Sequence, residues 1–370
     1  MKILLLADPS SSHTIKWANA LFEKGMDVSL FGLSGYDSSL YHPGIKINSF
    51  NTPVSIKNKF AGNFLKLVYL LKINALRKII KSFKPDIINS HYVSSYGFLG
   101  ALSGFHPFVI SVWGTDVYIF PNVSFIHKKN IKFSLSKADC IVSTSNAMAI
   151  ETAAFTDKEI QVVPFGVDIN KMKPHKVVSK FSENDIVLGI VKRLEQEYGI
   201  EYLMKAFSIM VKKHTDLSLK LLIVGGGSME KSLKNYAVEL KIEALTIFTG
   251  MIAHNEVSNY HNMMDIEVYL SNYESFGVSV VEASACEKPV VVSNVGGLPE
   301  VVDDNKTGFI VLPRDPQKAA DAFEKLILDK DLRKKFGKAG REKVEKIYNC
   351  NNNVDDMIRL YYRISNMNEN

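Results

Sequence analysis

The sequence predicts an α/β protein built from two doubly wound domains. Three observations carry that prediction. Short apolar runs alternate with longer amphipathic ones, the pattern of buried strands separated by helices around a parallel sheet. The pattern runs once through the first half and restarts after Lys180. The length, 370 residues, suits two domains at roughly 100–200 residues each.

In the first half, Met1–Ala7, Val28–Gly32, Asp86–Asn89, Phe108–Val112, Cys140–Thr144 and Gln161–Val163 read as buried strands. Ile15–Lys24, Leu65–Ser82 and Ile126–Ser136 read as helices between them. In the second half, Ile186–Val191, Leu219–Val224, Leu245–Phe248, Ile266–Leu270, Pro289–Ser293 and Gly308–Val311 read as strands. Ile200–His214, Val278–Cys286 and Pro316–Lys325 supply helices. The polar stretch 171–184, with Pro174, reads as a linker between domains at 1–170 and 185–345. Each domain is expected to carry its ligand edge at the strand C-termini, the two facing across a cleft. The Asn-rich patch Asn349–Asn353 reads as a loop before a last helix, Val354–Ile364. The segment 346–370 that holds it is expected to return to the N-terminal domain.

Composition narrows the classes. The chain is 46% hydrophobic and 23% charged, as soluble globular proteins are. Cys140, Cys286 and Cys350 lie far apart without metal-site spacing, which suits a reduced, cytoplasmic setting. The opening run MKILLL is shorter than a signal-peptide core of roughly 7–15 apolar residues and reads as a first strand. No run approaches the ~20 apolar residues of a membrane span. The net charge of +6 is uneven: residues 1–180 hold 21 Lys and Arg against 11 Asp and Glu, a net +10, and the rest 24 against 28, a net −4. An anionic partner for the first half follows. Nucleic acid is disfavoured, since no aromatic-basic motif accompanies the charge. The charge concentrates in residues 55–85, with Lys57, Lys59, Lys66, Lys72, Arg77, Lys78, Lys81 and Lys84 and no acid. Apolar residues recur there near helical period. A basic amphipathic helix docks on anionic lipid headgroups, and an ordinary helix with its stripe on the sheet is the other reading.

The most informative segment runs from Tyr273 to Val302, YESFGVSVVEASACEKPVVVSNVGGLPEVV. A strand ends in a polar loop, and Gly277 precedes an apolar-periodic helix. The free N–H groups and positive dipole end of such a helix suit a diphosphate. Ser275 is the candidate N-cap. Glu282 follows Glu274 by two helical turns at ~3.6 residues per turn. One carboxylate can therefore sit near phosphate while the other accepts a vicinal diol.

At these residues the chain resembles the family 4 retaining glycosyltransferases of the GT-B fold. Glu-x7-Glu, the SFG turn and GG-x-PE form that family's principal signature. Val163–Asp168 (VPFGVD), Leu222–Gly227 (LIVGGG), Gly189–Leu194 with Gly199, and Asp303–Ile310 resemble further family segments. The match is strong over residues 160–345 and weaker before them. The resemblance implies two Rossmann-like domains, an N-terminal one for the acceptor and a C-terminal one for the nucleotide sugar. It implies that Glu282 holds the ribose hydroxyls and that backbone groups of Phe276, Gly277 and Val278 bind phosphate. It further implies that Glu274 contacts the donor sugar and that Arg193 neutralises the leaving diphosphate. Ser275, Lys192, Gly225 and Gly226 complete the expected donor set. No metal and no cofactor are implied beyond the nucleotide-diphosphate sugar, with UDP placed ahead of GDP.

The chain departs from the family at three places. Tyr198 stands where the family has a Lys; Lys192 offers a second cation, although adjacent strand residues point to opposite faces. Trp113, in VISVWGTD, stands where many members have His, and fits either a sugar-stacking face or a core aromatic. Nearby Asp116 fits a sugar contact, as a catalytic-site residue, or a helix N-cap. Ser10–Ser11–Ser12–His13–Thr14 replaces a glycine pair, and His13 fits an acceptor contact or a cap cluster. His91, at another strand end, fits the acceptor side or a structural role. The implied activity is retaining transfer of a hexose or N-acetylhexosamine to a saccharide acceptor, lipid-linked, in cell-surface polysaccharide or glycan biosynthesis. The setting would be cytoplasmic, peripheral at the membrane face through residues 55–85. Two alternatives are a nucleotide-sugar epimerase of the same architecture and a non-catalytic nucleotide-sugar-binding subunit.

Overall fold

The computed structural model describes residues 1–50 and 71–367. It divides into two units: Met1–Pro164 with Asn353–Asn370, and Phe165–Asn352. Among the described residues each unit has one sheet, and every strand pairing in both is parallel.

The first unit's strands are β1 (Lys2–Leu6), β2 (Asp27–Gly32), β3 (Lys46–Ser49), β4 (Ile87–His91), β5 (Phe108–Val112), β6 (Cys140–Ser143) and β7 (Ile160–Val162). Their order is β3-β2-β1-β4-β5-β6-β7, so the winding reverses between β1 and β4. Residues 3 to 6 of β1 are fully buried, as expected of a strand with helices on both faces. One face packs helices Ile73–Phe83, Phe98–Ser103 and Phe125–Lys137 over Leu4, Leu6, Ile88 and Ile110. The other holds Ser12–Glu23 and the end of Cys350–Met367 over Ile3, Leu5, Ile87 and Val109.

The second unit's strands are β8 (Ile186–Val191), β9 (Leu219–Val224), β10 (Thr246–Phe248), β11 (Ile266–Tyr269), β12 (Val290–Ser293) and β13 (Gly308–Val311), in the order β10-β9-β8-β11-β12-β13. The reversal falls between β8 and β11. Helix Ile200–Lys213 packs with Pro316–Leu328, and Val278–Ala285 with Lys330–Ile347.

Three local expectations change. The stretch 171–184 belongs to the second unit and is not a free linker, because its first residues are pinned to helix Val257–Asn262. Ser258 Oγ donates to the Lys171 carbonyl at 2.9 Å, Asn262 Nδ2 to that of Lys173 at 3.0 Å, and Met172 is buried. The patch Asn349–Asn353 is the start of the last helix rather than a loop before it. Asn349 Oδ1 accepts the Asn351 N–H at 3.1 Å, and the helix runs from Cys350. The basic run 55–85 lies partly outside the described residues. Within its described part, 71–85, helix Ile73–Phe83 buries Leu76 and Phe83 against the core and leaves Arg77, Lys78 and Lys81 exposed.

Candidate active site

Open parallel sheets place ligands at strand C-termini where the winding reverses. In the second unit that point lies between β8 and β11, and the loops after these strands carry Lys192 and Glu274. The two loops are joined through their backbones: Asn272 N–H donates to the Glu197 carbonyl at 2.8 Å. Lys192 Nζ lies 2.6 Å from Glu274 Oε2, with side-chain exposures of only 11% and 12%. It also sits 4.4 Å from the centre of the Tyr198 ring, a cation–π contact. Burial alone would lower the Lys192 pKa; Glu274, then Tyr198, outweigh it and hold the ammonium above its ordinary value. Lys192 is therefore a cation at neutral pH.

Arg193, the neighbour expected to be the phosphate cation, points the other way. Its side chain is 71% exposed and bonds Glu195 at 3.1 Å. Strand alternation thus puts Lys192, not Arg193, among the site's buried groups.

Glycines make the loops close. Gly225 ends β9 at φ +131°, where a Cβ would lie 2.0 Å from the Lys192 carbonyl. Gly296 of the GG-x-PE turn has φ +49°, and a Cβ there would fall 1.6 Å from the Glu274 carbonyl. The turn is thus a backbone rest for the loop that carries Glu274, with Gly297 N–H donating to the same carbonyl at 3.3 Å. Gly226 packs on Met251.

Helix Val278–Ala285 begins from Gly277 at φ +104°, which takes the N-cap position expected of Ser275. No side chain caps it. Its helical bonds start with the Val280 and Val281 N–H groups on the Gly277 carbonyl, so those of Gly277, Val278 and Ser279 precede the first helical bond. Phe276 is buried between Phe165 and Tyr348, ring centres 6.0 and 5.6 Å away, and anchors this turn. Glu282, one turn into the helix, is 6% exposed. Beside it lies a buried group absent from the sequence-based expectations: His261, Glu267 and Tyr269. His261 Nδ1 is 2.7 Å from Glu267 Oε1, and the Tyr269 hydroxyl donates to Glu267 Oε2 at 2.6 Å. A polar Glu267 and Tyr269 inside an otherwise apolar strand were the available signal.

The first unit gathers His13, His91 and Trp113 near its own reversal point: His13 in the first turn of the helix after β1, His91 at the end of β4 and Trp113 just after β5. The His91 and Trp113 rings are 4.0 Å apart and those of His13 and Trp113 5.8 Å, with Tyr92 edge-on at 5.6 Å from Trp113. Trp113 and His91 are both buried. Burial, with a smaller push from His13, depresses the His91 pKa to about 3, so it is neutral. Asp116 is also buried, and both oxygens accept backbone bonds at 2.8 Å, from Val93 N–H and Gly114 N–H. Burial raises its pKa and these bonds oppose the rise. Its carboxylate braces the loops after β4 and β5.

Among the described residues no group of three or more His, Cys, Asp or Glu side chains could hold a metal ion, and no helix is long and apolar enough to cross a membrane.

Two all-parallel, doubly wound units, the second with a helix start and a buried Lys–Glu pair at its reversal point, define a protein of GT-B architecture. Comparison agrees. The family model "Glycosyl transferases group 1" matches residues 172–343, and "Glycosyl transferase 4-like" matches residues 2–145. The chain belongs to this GT4-like glycosyltransferase family. It is 34% identical over 201 residues to the D-inositol 3-phosphate glycosyltransferase of Corynebacterium jeikeium (strain K411), covering 51% of this chain and 48% of that one. It is 26% identical over 294 residues to the N-acetyl-alpha-D-glucosaminyl L-malate synthase of Bacillus anthracis, covering 75% of each. The matched stretch thus spans about half of the first relative and three quarters of the second. Sucrose-phosphate synthase from Thermosynechococcus elongatus superposes with TM-score 0.83 at 20% identity, covering 98% of both chains. Anabaena HepE in complex with UDP superposes with TM-score 0.78 at 18% identity, covering 98% and 100%.

Proposed function

We propose that the protein transfers a hexose or N-acetylhexosamine from a UDP-sugar, ahead of a GDP-sugar, to a saccharide acceptor with retention of configuration and without a metal. The observation that carries this reading is the buried Lys192–Glu274 pair beside the start of helix Val278–Ala285. The diphosphate would lie on the N–H groups of Gly277 and Val278, with Lys192 neutralising the charge that grows as the sugar departs. Glu274 would accept from hydroxyls of the donor sugar and Glu282 from the ribose. The anomeric carbon–phosphate oxygen bond breaks and the bond to the acceptor oxygen forms on the same face. The acceptor's proton passes to the departing phosphate oxygen, so no side chain needs to act as nucleophile. Acceptor contacts fall to His13 and the rim around Trp113 and His91.

A lipid-linked acceptor, with the protein peripheral at an anionic membrane face, is supported by the basic helix Ile73–Phe83 and by a second feature. Phe125 and Ile126 are 69% and 57% exposed at the start of helix Phe125–Lys137. Lys129 Nζ lies 4.6 Å from the Phe125 ring, and Lys128 is adjacent. The two helices flank Phe98–Ser103 on one face of the sheet. Exposed apolar side chains with a cation beside them suit insertion among anionic headgroups. Cell-surface polysaccharide or glycan assembly is the process such an acceptor belongs to.

The test is titration with UDP and GDP, then assay of UDP- and GDP-sugars with a saccharide acceptor and the anomeric configuration of the product read by proton NMR. Glu282→Ala should weaken nucleotide binding by about 1–3 kcal/mol, the range for charged hydrogen bonds. Unchanged affinity in a folded variant removes the ribose role. An inverted product overturns the retaining mechanism, and binding without transfer leaves a nucleotide-sugar-binding subunit.

A further inference from the structure

Glu282 is a buried carboxylate, and beneath it runs a chain of buried polar groups. Tyr269 donates to one oxygen of Glu267, and His261 Nδ1 lies against the other. The imidazole's far nitrogen, Nε2, has no hydrogen-bond partner and faces Glu282 Oε2 at 3.9 Å. All four side chains are at or near zero exposure. The elements differ: His261 lies in the last turn of the short helix Val257–Asn262, Glu267 and Tyr269 lie on β11, and Glu282 is on the helix whose start faces the candidate diphosphate site.

Two buried carboxylates this close to one imidazole are costly unless the ring between them is a cation. Burial lowers the His261 pKa, but Glu267 and then Glu282 outweigh it and raise it to about 9. The ring therefore holds a proton at each nitrogen. The Nδ1 proton is committed to Glu267, whose other oxygen is fixed by Tyr269. The Nε2 nitrogen faces Glu282 Oε2 at 3.9 Å, within the buried interior of the unit.

We propose that His261, held by Glu267 and Tyr269, is a positioning residue that fixes the orientation of the Glu282 carboxylate for a vicinal diol. This rests on the reading that Glu282 receives the ribose hydroxyls. A carboxylate with a free rotor loses selectivity for a paired hydroxyl geometry; one drawn toward a fixed buried cation 3.9 Å away keeps it. The role is comparable to that of outer partners that orient a ligating group without touching the ligand. His261 touches neither nucleotide nor sugar in this arrangement. Its effect is confined to the hydroxyl-reading end of the nucleotide.

The experiment compares affinity for UDP and 2′-deoxy-UDP by calorimetry, or GDP and 2′-deoxy-GDP if these bind more tightly. Wild type should favour the ribonucleotide by about tenfold or more, as loss of a charged hydrogen bond requires. His261→Phe should reduce that preference to about threefold or less while affinity for the deoxynucleotide changes by under about twofold. Tyr269→Phe, which removes one hydroxyl from a site of unchanged shape, should reduce it partway and guards against a His261 variant that does not fold. An unchanged preference in Tyr269→Phe, or in a folded His261→Phe, overturns the positioning role. A uniform loss for both nucleotides also overturns it, marking the group as merely structural. A wild type without any ribose preference instead refutes the ribose reading itself.

Discussion

At the scale of single residues, two adjacent cations part company. Lys192 turns inward to Glu274 and the Tyr198 ring; Arg193 turns outward to Glu195. If the inward charge stabilises the departing diphosphate, Lys192→Met should lower turnover about 10²–10³-fold, the loss typical of one preorganised donor. Arg193→Ala should cost less than about tenfold on the same ground. Equal losses would mean that Arg193 swings inward when the donor binds. Because Lys192→Met leaves Glu274 buried without its cation, thermal melting of each variant should accompany the kinetics.

Two histidines make stability depend on pH in opposite directions. The folded His261 titrates near 9, above its unfolded value of about 6.5. Its contribution is complete below the unfolded pKa and is lost as pH rises through about 9. The folded His91 titrates near 3, so the unfolded chain binds more protons than the folded one below about 6.5. Stability therefore falls as pH drops from there toward 3. Urea midpoints across pH should show a shallower alkaline fall in His261→Gln and a shallower acid fall in His91→Asn. A variant whose profile parallels wild type would refute the corresponding assignment.

At the scale of elements, helix Ile73–Phe83 buries Leu76 and Phe83 and presents Arg77, Lys78 and Lys81 outward. Each cation near an anionic leaflet contributes roughly 1 kcal/mol. Changing Arg77, Lys78, Lys81 and Lys84 to Glu should abolish co-sedimentation with anionic vesicles and leave the fold intact. Equal binding of wild type to neutral and anionic vesicles would rule out docking by charge. Strands such as Phe108–Val112 and Ile186–Val191 were legible in the sequence because their apolar runs are broken only by Ser111 and Gly189. β3 (Lys46–Ser49) was not, since KINS has a single apolar residue and is specified by pairing with β2. Helices Glu230–Glu239 and Lys330–Ile347 were missed because long charged stretches hide a narrow apolar stripe. The loop position of Glu274, the helix start after Gly277 and the helical position of Glu282 could be read from the sequence pattern. The inward turn of Lys192 and the cluster around His261 could not, because each depends on which strands become neighbours.

At the scale of the whole molecule, the first unit contains both ends of the chain. The last helix places Met357, Leu360, Tyr361 and Ile364 in the core beside Ile3, Leu5 and Val109, and Tyr361 accepts from Asn89 Nδ2 at 2.6 Å. At about 1.5–3 kcal/mol per buried side chain, removal of these four exceeds much of a domain's net stability of about 5–15 kcal/mol. Truncation after Asn352 should therefore unfold the first unit and leave the second folded. Hydrogen exchange resolved along the chain would show it, and retained protection of β1 and β4 would contradict it. The same feature orders events during synthesis. Residues 1–164 are made before the last helix, so the part of their sheet face that Met357, Leu360, Tyr361 and Ile364 cover stays open until that helix follows, with only helix Ser12–Glu23 already on it. The Phe165–Asn352 unit can close while its predecessor waits, so the earlier half of the polypeptide is the later to mature, and is the part most in need of a chaperone in the interval.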